Sequence, residues 1–146
     1  MFRTDQSCAV KLLVAIKSPP LLDSLLTVIG EIEGVKSMGY VSTAEDAIGL
    51  INMIRVDVMI VEVLLRDGSG LDVLTHAKEM KLESKVVMVT DAPFIEYKHK
   101  SMELGADYFF NLDRDFESFQ KTLKMLSRIC SCGQIGDKPN STFNQL

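Results

Sequence analysis

Short, nearly continuous apolar runs alternate with amphipathic stretches along this chain. Residues 11–16 (KLLVAI), 35–41, 56–63 (VDVMIVEV), 85–90 (KVVMVT) and 107–111 (DYFFN) read as strands. The run 56–63 is the strongest, mostly apolar and β-branched, as expected of a central parallel strand covered on both faces. The run 35–41 is weaker and predicts a position near a sheet edge. Between the runs, Leu21, Leu22, Leu25, Leu26 and Ile29 recur at helical spacing after Pro19-Pro20, where a missing N–H costs nothing. Gly34 stops that helix. Ser42 or Thr43 caps the next, with Glu45 and Asp46 following in capping-box style, and Ala47, Ile48, Leu50, Ile51 and Ile54 form its inner face. The turn Arg66-Asp67-Gly68-Ser69-Gly70 leads into a helix over 71–80. A further helix spans 95–104 and ends at Gly105. The last starts near Asp115, with Phe116, Phe119, Leu123, Leu126 and Cys130 on its inner face.

Five strands thus alternate with five helices. Parallel strands need crossover connections, and those are right-handed, so the economical fold is an open, doubly wound α/β sheet with helices on both faces. At 146 residues there is room for one such domain. It is placed at 11–132, after an extension over 1–10. The polar, Gly- and Pro-containing segment 133–146 is expected to be a disordered tail. In doubly wound sheets the site lies at the carboxyl ends of the strands, where their order reverses. Those ends are Ile16-Lys17, Glu62-Val63, Thr90-Asp91 and Asn111-Leu112.

Composition narrows the function. Lys and Arg number 16 against 20 Asp and Glu, a net charge of −4, which argues against a domain built to grip a phosphate backbone. No run approaches the roughly 18–20 apolar residues of a membrane helix. The apolar stretch 12–16 is fenced by Lys11 and Lys17 and is too short for a signal-peptide core. A cytoplasmic protein is expected. Cys8, Cys130 and Cys132, with only His76 and His99 beside them, suit incidental thiols in a reducing compartment better than a metal site.

The strand ends carry a resemblance. Val56-Asp57-Val58-Met59-Ile60-Val61-Glu62, then Leu65-x-Asp67-Gly68-Ser69-Gly70-Leu71-Asp72-Val73-Leu74, with Val86-Val87-Met88-Val89-Thr90 and Glu103-Leu104-Gly105-Ala106-Asp107-Tyr108-Phe109-Phe110, are together similar to the response-regulator receiver family of two-component signalling. The similarity covers residues 11–126. It implies a flavodoxin-like, chemotaxis-regulator-like sheet of order 2-1-3-4-5. It also implies five chemical parts: an acidic pair that helps hold Mg²⁺, a phosphoacceptor Asp, a hydroxyl that bonds the phosphoryl oxygen, and a Lys that pairs with its charge. Ile16 and Lys17 stand at the acidic pair, Glu62 at the phosphoacceptor, Thr90 at the hydroxyl and Leu112 at the Lys. One part of five is kept, so the chain resembles an atypical, degenerate member.

The losses act in one direction. Phosphoryl transfer to a carboxylate needs charge neutralisation, normally by a divalent ion. Ile16 has no side-chain oxygen and Lys17 would repel the metal; two unit charges ~4 Å apart interact by roughly 4 kcal/mol at an effective dielectric near 20. Glu62 reaches one methylene further than Asp. The expectation is a pseudo-receiver without cofactor or metal, in which the Lys17 ammonium occupies the vacated metal position and pairs with Glu62.

Competing readings stay open for several of these residues. Glu62 is either a permanent mimic of the phosphorylated state or a relic held by its pairing. Thr90 is a satisfied strand-end hydroxyl or a reactive one. Phe109 stands at the family's switch-aromatic position or is plain core. Asp67 and Asp91 could build a new metal site with Glu62, although Asp67 suits its turn. The loop 67–70 is not a phosphate cradle of the P-loop type.

The leading expectation is a stand-alone, non-enzymatic signalling adaptor that acts by phosphorylation-independent protein contact, with a sensor kinase or a downstream protein as partner. Its face would be the fourth helix, fifth strand and fifth helix, including Tyr97, Lys98, Met102 and Phe109. Homodimerisation through that face is a secondary expectation; no nucleic-acid or membrane role is expected. The alternatives are an unusual receiver still phosphorylated or ligand-switched at Glu62 or Asp91, and a nucleotide- or small-ligand-binding protein on the same fold.

Overall fold

The computed structural model describes residues 9–130. Cys8, Cys132, the side chain of Cys130 and the segment 133–146 lie outside the described residues. The elements are β1 (Val10–Ala15), α1 (Pro19–Gly30), β2 (Val35–Val41), α2 (Ala44–Met53), β3 (Val58–Glu62), β4 (Leu64–Leu65), β5 (Gly68–Ser69), α3 (Gly70–Glu79), β6 (Lys85–Thr90), α4 (Ile95–Glu103), β7 (Tyr108–Asn111) and α5 (Phe116–Cys130). The five long strands form one parallel sheet of order β2-β1-β3-β6-β7. Counting those strands alone, this is the flavodoxin-like order 2-1-3-4-5. No described helix is long and apolar enough to cross a membrane.

Strand alternation sorts the core into two layers. Leu12, Val14, Ile16, Val58, Ile60, Val87 and Val89 face α1 and α5, and pack with Leu25, Val28, Phe119 and Leu123. Leu13, Ala15, Met59, Val61, Val86 and Met88 face the other way, and pack with Ala47 and Ile51 of α2 and Val73 and Leu74 of α3. β3 is buried along its whole length. β2 is only half-buried, in keeping with its edge position.

Three details depart from the sequence reading. β1 begins at Val10, whose N–H donates to the Gly34 carbonyl at 2.7 Å, so residue 10 belongs to the sheet. The run 56–63 contributes only Val58–Glu62 as strand, and Asp57 just before it adds a side-chain bracket, its carboxylate accepting the Lys11 N–H at 2.8 Å. The loop after β3 is not a simple turn. Leu64–Leu65 and Gly68–Ser69 pair antiparallel as a miniature hairpin.

Candidate functional site

The chain order reverses between β1 and β3, and the predicted site residues gather at that end of the sheet. Glu62 closes β3 and is 3 % exposed. By strand parity it shares the face of Ile60, toward α1. Both oxygens of its carboxylate are engaged by the β1–α1 connection. Oε1 accepts the Lys17 N–H at 2.7 Å and the Ser18 N–H at 3.1 Å, and Oε2 accepts the Ser18 hydroxyl at 2.9 Å. Ser18 is the N-cap residue of α1, yet its side chain caps nothing in that helix. Glu62 supplies the anion at the helix start instead, where the macrodipole favours negative charge. Pro19 and Pro20 open α1 without N–H groups to satisfy, as the sequence suggested.

This corrects the expected ion pair. The Lys17 side chain is exposed, and no ion pair among the described residues includes it. Glu62 holds the Lys17 backbone rather than its ammonium. The physical reason is reach and solvation: a backbone N–H at a helix start is already fixed in place, whereas burying an ammonium is costly.

Ile16 and Leu112 are both buried in the apolar layer beneath α1 and α5. The two residues that the resemblance sets at one metal-binding acid and at the phosphate-pairing lysine are therefore part of the core. A divalent cation does not fit these residues. Both oxygens of Glu62 already accept N–H and O–H donors, Ile16 offers no side-chain oxygen, and the β1–α1 connection meets the carboxylate with two backbone N–H groups and the Ser18 hydroxyl, all pointing hydrogens at it.

Thr90 closes β6 on the opposite face of the sheet. Its Oγ1 accepts the Ala92 N–H at 3.1 Å, which makes it a satisfied strand-end hydroxyl with no bond to Glu62. Asn111 closes β7 beside it, in register with Thr90. Phe109 is half-buried against the layer that includes Tyr97 and Leu104. Lys98 is exposed on α4, as are Phe94 (55 %), Ile95 (52 %) and Met102 (46 %). Phe94 meets Tyr97 edge-on, ring centroids 5.6 Å apart.

Asp67 does not join Glu62 and Asp91, and no cluster of potential metal ligands occurs among the described residues. Asp67 has another task. Its two oxygens accept the Ala44 and Glu45 N–H groups at 2.7 and 3.1 Å, so the hairpin tip caps α2 across the loop. Thr43 Oγ1 completes that cap by accepting the Asp46 N–H at 3.1 Å. The hydrogen bonds from Ala44 and Glu45 hold the Asp67 carboxyl below its ordinary pKa. A lowered carboxylate pKa gives stability that is present above about pH 4 and is lost as pH falls through the folded-state value. Asp67→Asn is therefore expected to lower the melting temperature at pH 7. The difference from wild type should shrink as pH falls below about 4 and the carboxyl protonates, as thermal unfolding across that range would report. A constant difference over the whole range would remove the charge from the explanation.

Gly70 explains the close approach of this loop. It starts α3 against the end of β3, its N–H donating to the Val63 carbonyl at 2.7 Å. A Cβ at this position would lie 2.0 Å from the Glu62 carbonyl oxygen. A groove of about 690 Å³ lies at the other end of the sheet, between residues 51–57 and 81–85. It is remote from Glu62, its Arg55–Glu83 pair is solvent-exposed, and no chemistry converges there.

Comparison with known proteins agrees with this architecture. The family model of the response regulator receiver domain matches residues 14–124. A DNA-binding response regulator of the LuxR family from Staphylococcus aureus is 21 % identical, with a TM-score of 0.72 over 81 % of this chain and 98 % of that one. The signal receiver domain of NarL from Mycobacterium tuberculosis is 16 % identical, with a TM-score of 0.72 over 82 % and 97 %. The response regulator domain of Thermotoga maritima CheB is 17 % identical, with a TM-score of 0.69 over 84 % and 96 %. These likenesses establish the fold. Together with the family match over residues 14–124, they place this chain among the response regulator receiver domains of two-component signalling.

Proposed function

We propose that this receiver domain is a pseudo-receiver, signalling through phosphorylation-independent protein contact and catalysing no reaction of its own. The observation that carries the reading is the triple hydrogen bonding of Glu62 by Lys17 and Ser18. A carboxylate with three donors already held against its two oxygens is a poor nucleophile toward a phosphodonor and a poor metal ligand. Burial of Ile16 and Leu112 in the core removes the oxygen and the cation that phosphoryl transfer would call on. Reading Glu62 as a phosphate mimic gains no support, since its carboxylate bonds the β1–α1 connection and not Thr90. The exposed Phe94, Ile95 and Met102 of α4 offer a surface for a protein partner, or for a second copy of the chain.

The test is an NMR titration with Mg²⁺, followed by beryllofluoride and acetyl phosphate. The amide resonances of Lys17, Ser18 and Glu62 are expected to stay in place, with no phosphoryl mass added to the protein. Saturable shifts at those three amides would overturn the reading. The variant carrying Ile16→Asp, Lys17→Asp, Glu62→Asp and Leu112→Lys is the positive control.

A further inference from the structure

The residue before the missing lysine has taken on a role of its own. Asn111 is buried at the end of β7, on the sheet face that carries α4. Its Nδ2 donates to the Ala92 carbonyl at 2.9 Å, and its Oδ1 accepts the Asp113 N–H at 3.0 Å. Its own N–H donates to the Asp115 carboxylate at 3.3 Å. From the neighbouring strand, Thr90 Oγ1 takes the Ala92 N–H at 3.1 Å. Both backbone groups of Ala92 are thus held by side chains of two strands in register.

Ala92 lies two residues before Phe94, the N-cap of α4, and no side chain caps that helix. Tyr97 and Leu104 pack α4 on the core along one side. Ser101 is its one fully buried residue, and the Ser101 hydroxyl has no hydrogen-bond partner among the described residues. Nine residues are too few for a helix to persist on intrinsic propensity. The bracket on Ala92 is therefore the side-chain anchor just before the start of α4.

The geometry points to Asn111 as a positioning residue for the contact surface. Together with Thr90 it brackets Ala92, fixes the start of α4, and so presents Phe94, Ile95 and Met102 in one arrangement. The inference rests on α4 being the surface that partners read. Thr90, the hydroxyl that the resemblance assigns to a phosphoryl oxygen, is here committed to the Ala92 N–H.

Amide hydrogen exchange on the full chain tests this, using Asn111→Ala and Thr90→Val, each checked first by urea unfolding. Each variant is expected to speed exchange over residues 92–103 by roughly tenfold, the loss of one such hydrogen bond, with the amides of Lys17, Ser18 and α1 unchanged. Because both bonds hold the same residue, the double variant should exchange little faster than the faster single one. No acceleration over 92–103, or an equal acceleration throughout β1, β3 and β6, overturns the bracket. If Asn111→Ala does not fold, Thr90→Val carries the test by the same criteria. Failure of the pseudo-receiver reading would show separately, as beryllofluoride shifts at Lys17 and Ser18 in the unaltered protein.

Discussion

Glu62→Ala is expected to destabilise the domain by about 3 kcal/mol or more, because hydrogen bonds to a charged acceptor contribute roughly 1.5–3 kcal/mol each and buried donors left unpaired are costly. Three donors lose their partner at once: the Lys17 and Ser18 N–H groups and the Ser18 hydroxyl. Lys17→Ala should change stability by less than about 0.5 kcal/mol, the usual range for an exposed side chain without special contacts. Glu62→Gln should fall between the two, since its amide oxygen can still accept the two backbone N–H groups. Urea unfolding of Lys17→Ala, Glu62→Ala and the double variant closes a cycle in which the coupling energy is expected near zero. A coupling above about 1 kcal/mol would restore the side-chain ion pair that the charge pattern alone suggests.

Gly70→Ala is expected to be at least as damaging, at about 3 kcal/mol or more, lowering the melting temperature by roughly 10 °C. The added Cβ would meet the Glu62 carbonyl oxygen at 2.0 Å, the Val61 Cγ1 at 2.8 Å and the Glu62 carbonyl carbon at 3.0 Å. Two of these are backbone atoms of the central strand, which cannot rotate aside. Relief requires α3 to back away from β3, which costs the packing of Val73 and Leu74 and the bond from Gly70 to Val63. Gly30→Ala is the control. Nothing lies within 4 Å of its added Cβ, and Ala in place of Gly within a helix is worth up to about 1 kcal/mol in the opposite sense. Differential scanning calorimetry of the two variants separates clash from propensity, and equal melting temperatures would dismiss the clash.

The strands and helices were legible because burial on both faces writes itself as uninterrupted apolar runs. β3, buried throughout, is the clearest instance. The weaker β2 betrayed its edge position through its mixed composition, and Thr43 announced its cap. The strand ends were legible through resemblance, residue by residue. The bonding at those ends was not. Glu62 pairs with two backbone N–H groups, and backbone donors leave no mark in a sequence, so the visible charge of Lys17 drew the pairing to the wrong atom. Asp67 looked like a turn residue because a cap supplied from 23 positions away has no local signature. The hairpin of Leu64–Leu65 with Gly68–Ser69 is too short for any periodicity to reveal. Asn111 fell one place before the position the family pattern singles out, and its bonds are again to main-chain atoms.

Opposite parity at the ends of β3 and β6 has an evolutionary consequence. The carboxylate of Glu62 lies on the α1 side of the sheet and the hydroxyl of Thr90 on the α4 side, and their hydrogen bonds have no residue in common. A change to one set of bonds then leaves every partner of the other set in place. A lineage could retailor α4 for a new binder while the opposite layer, under separate constraint, continued to keep the protein folded.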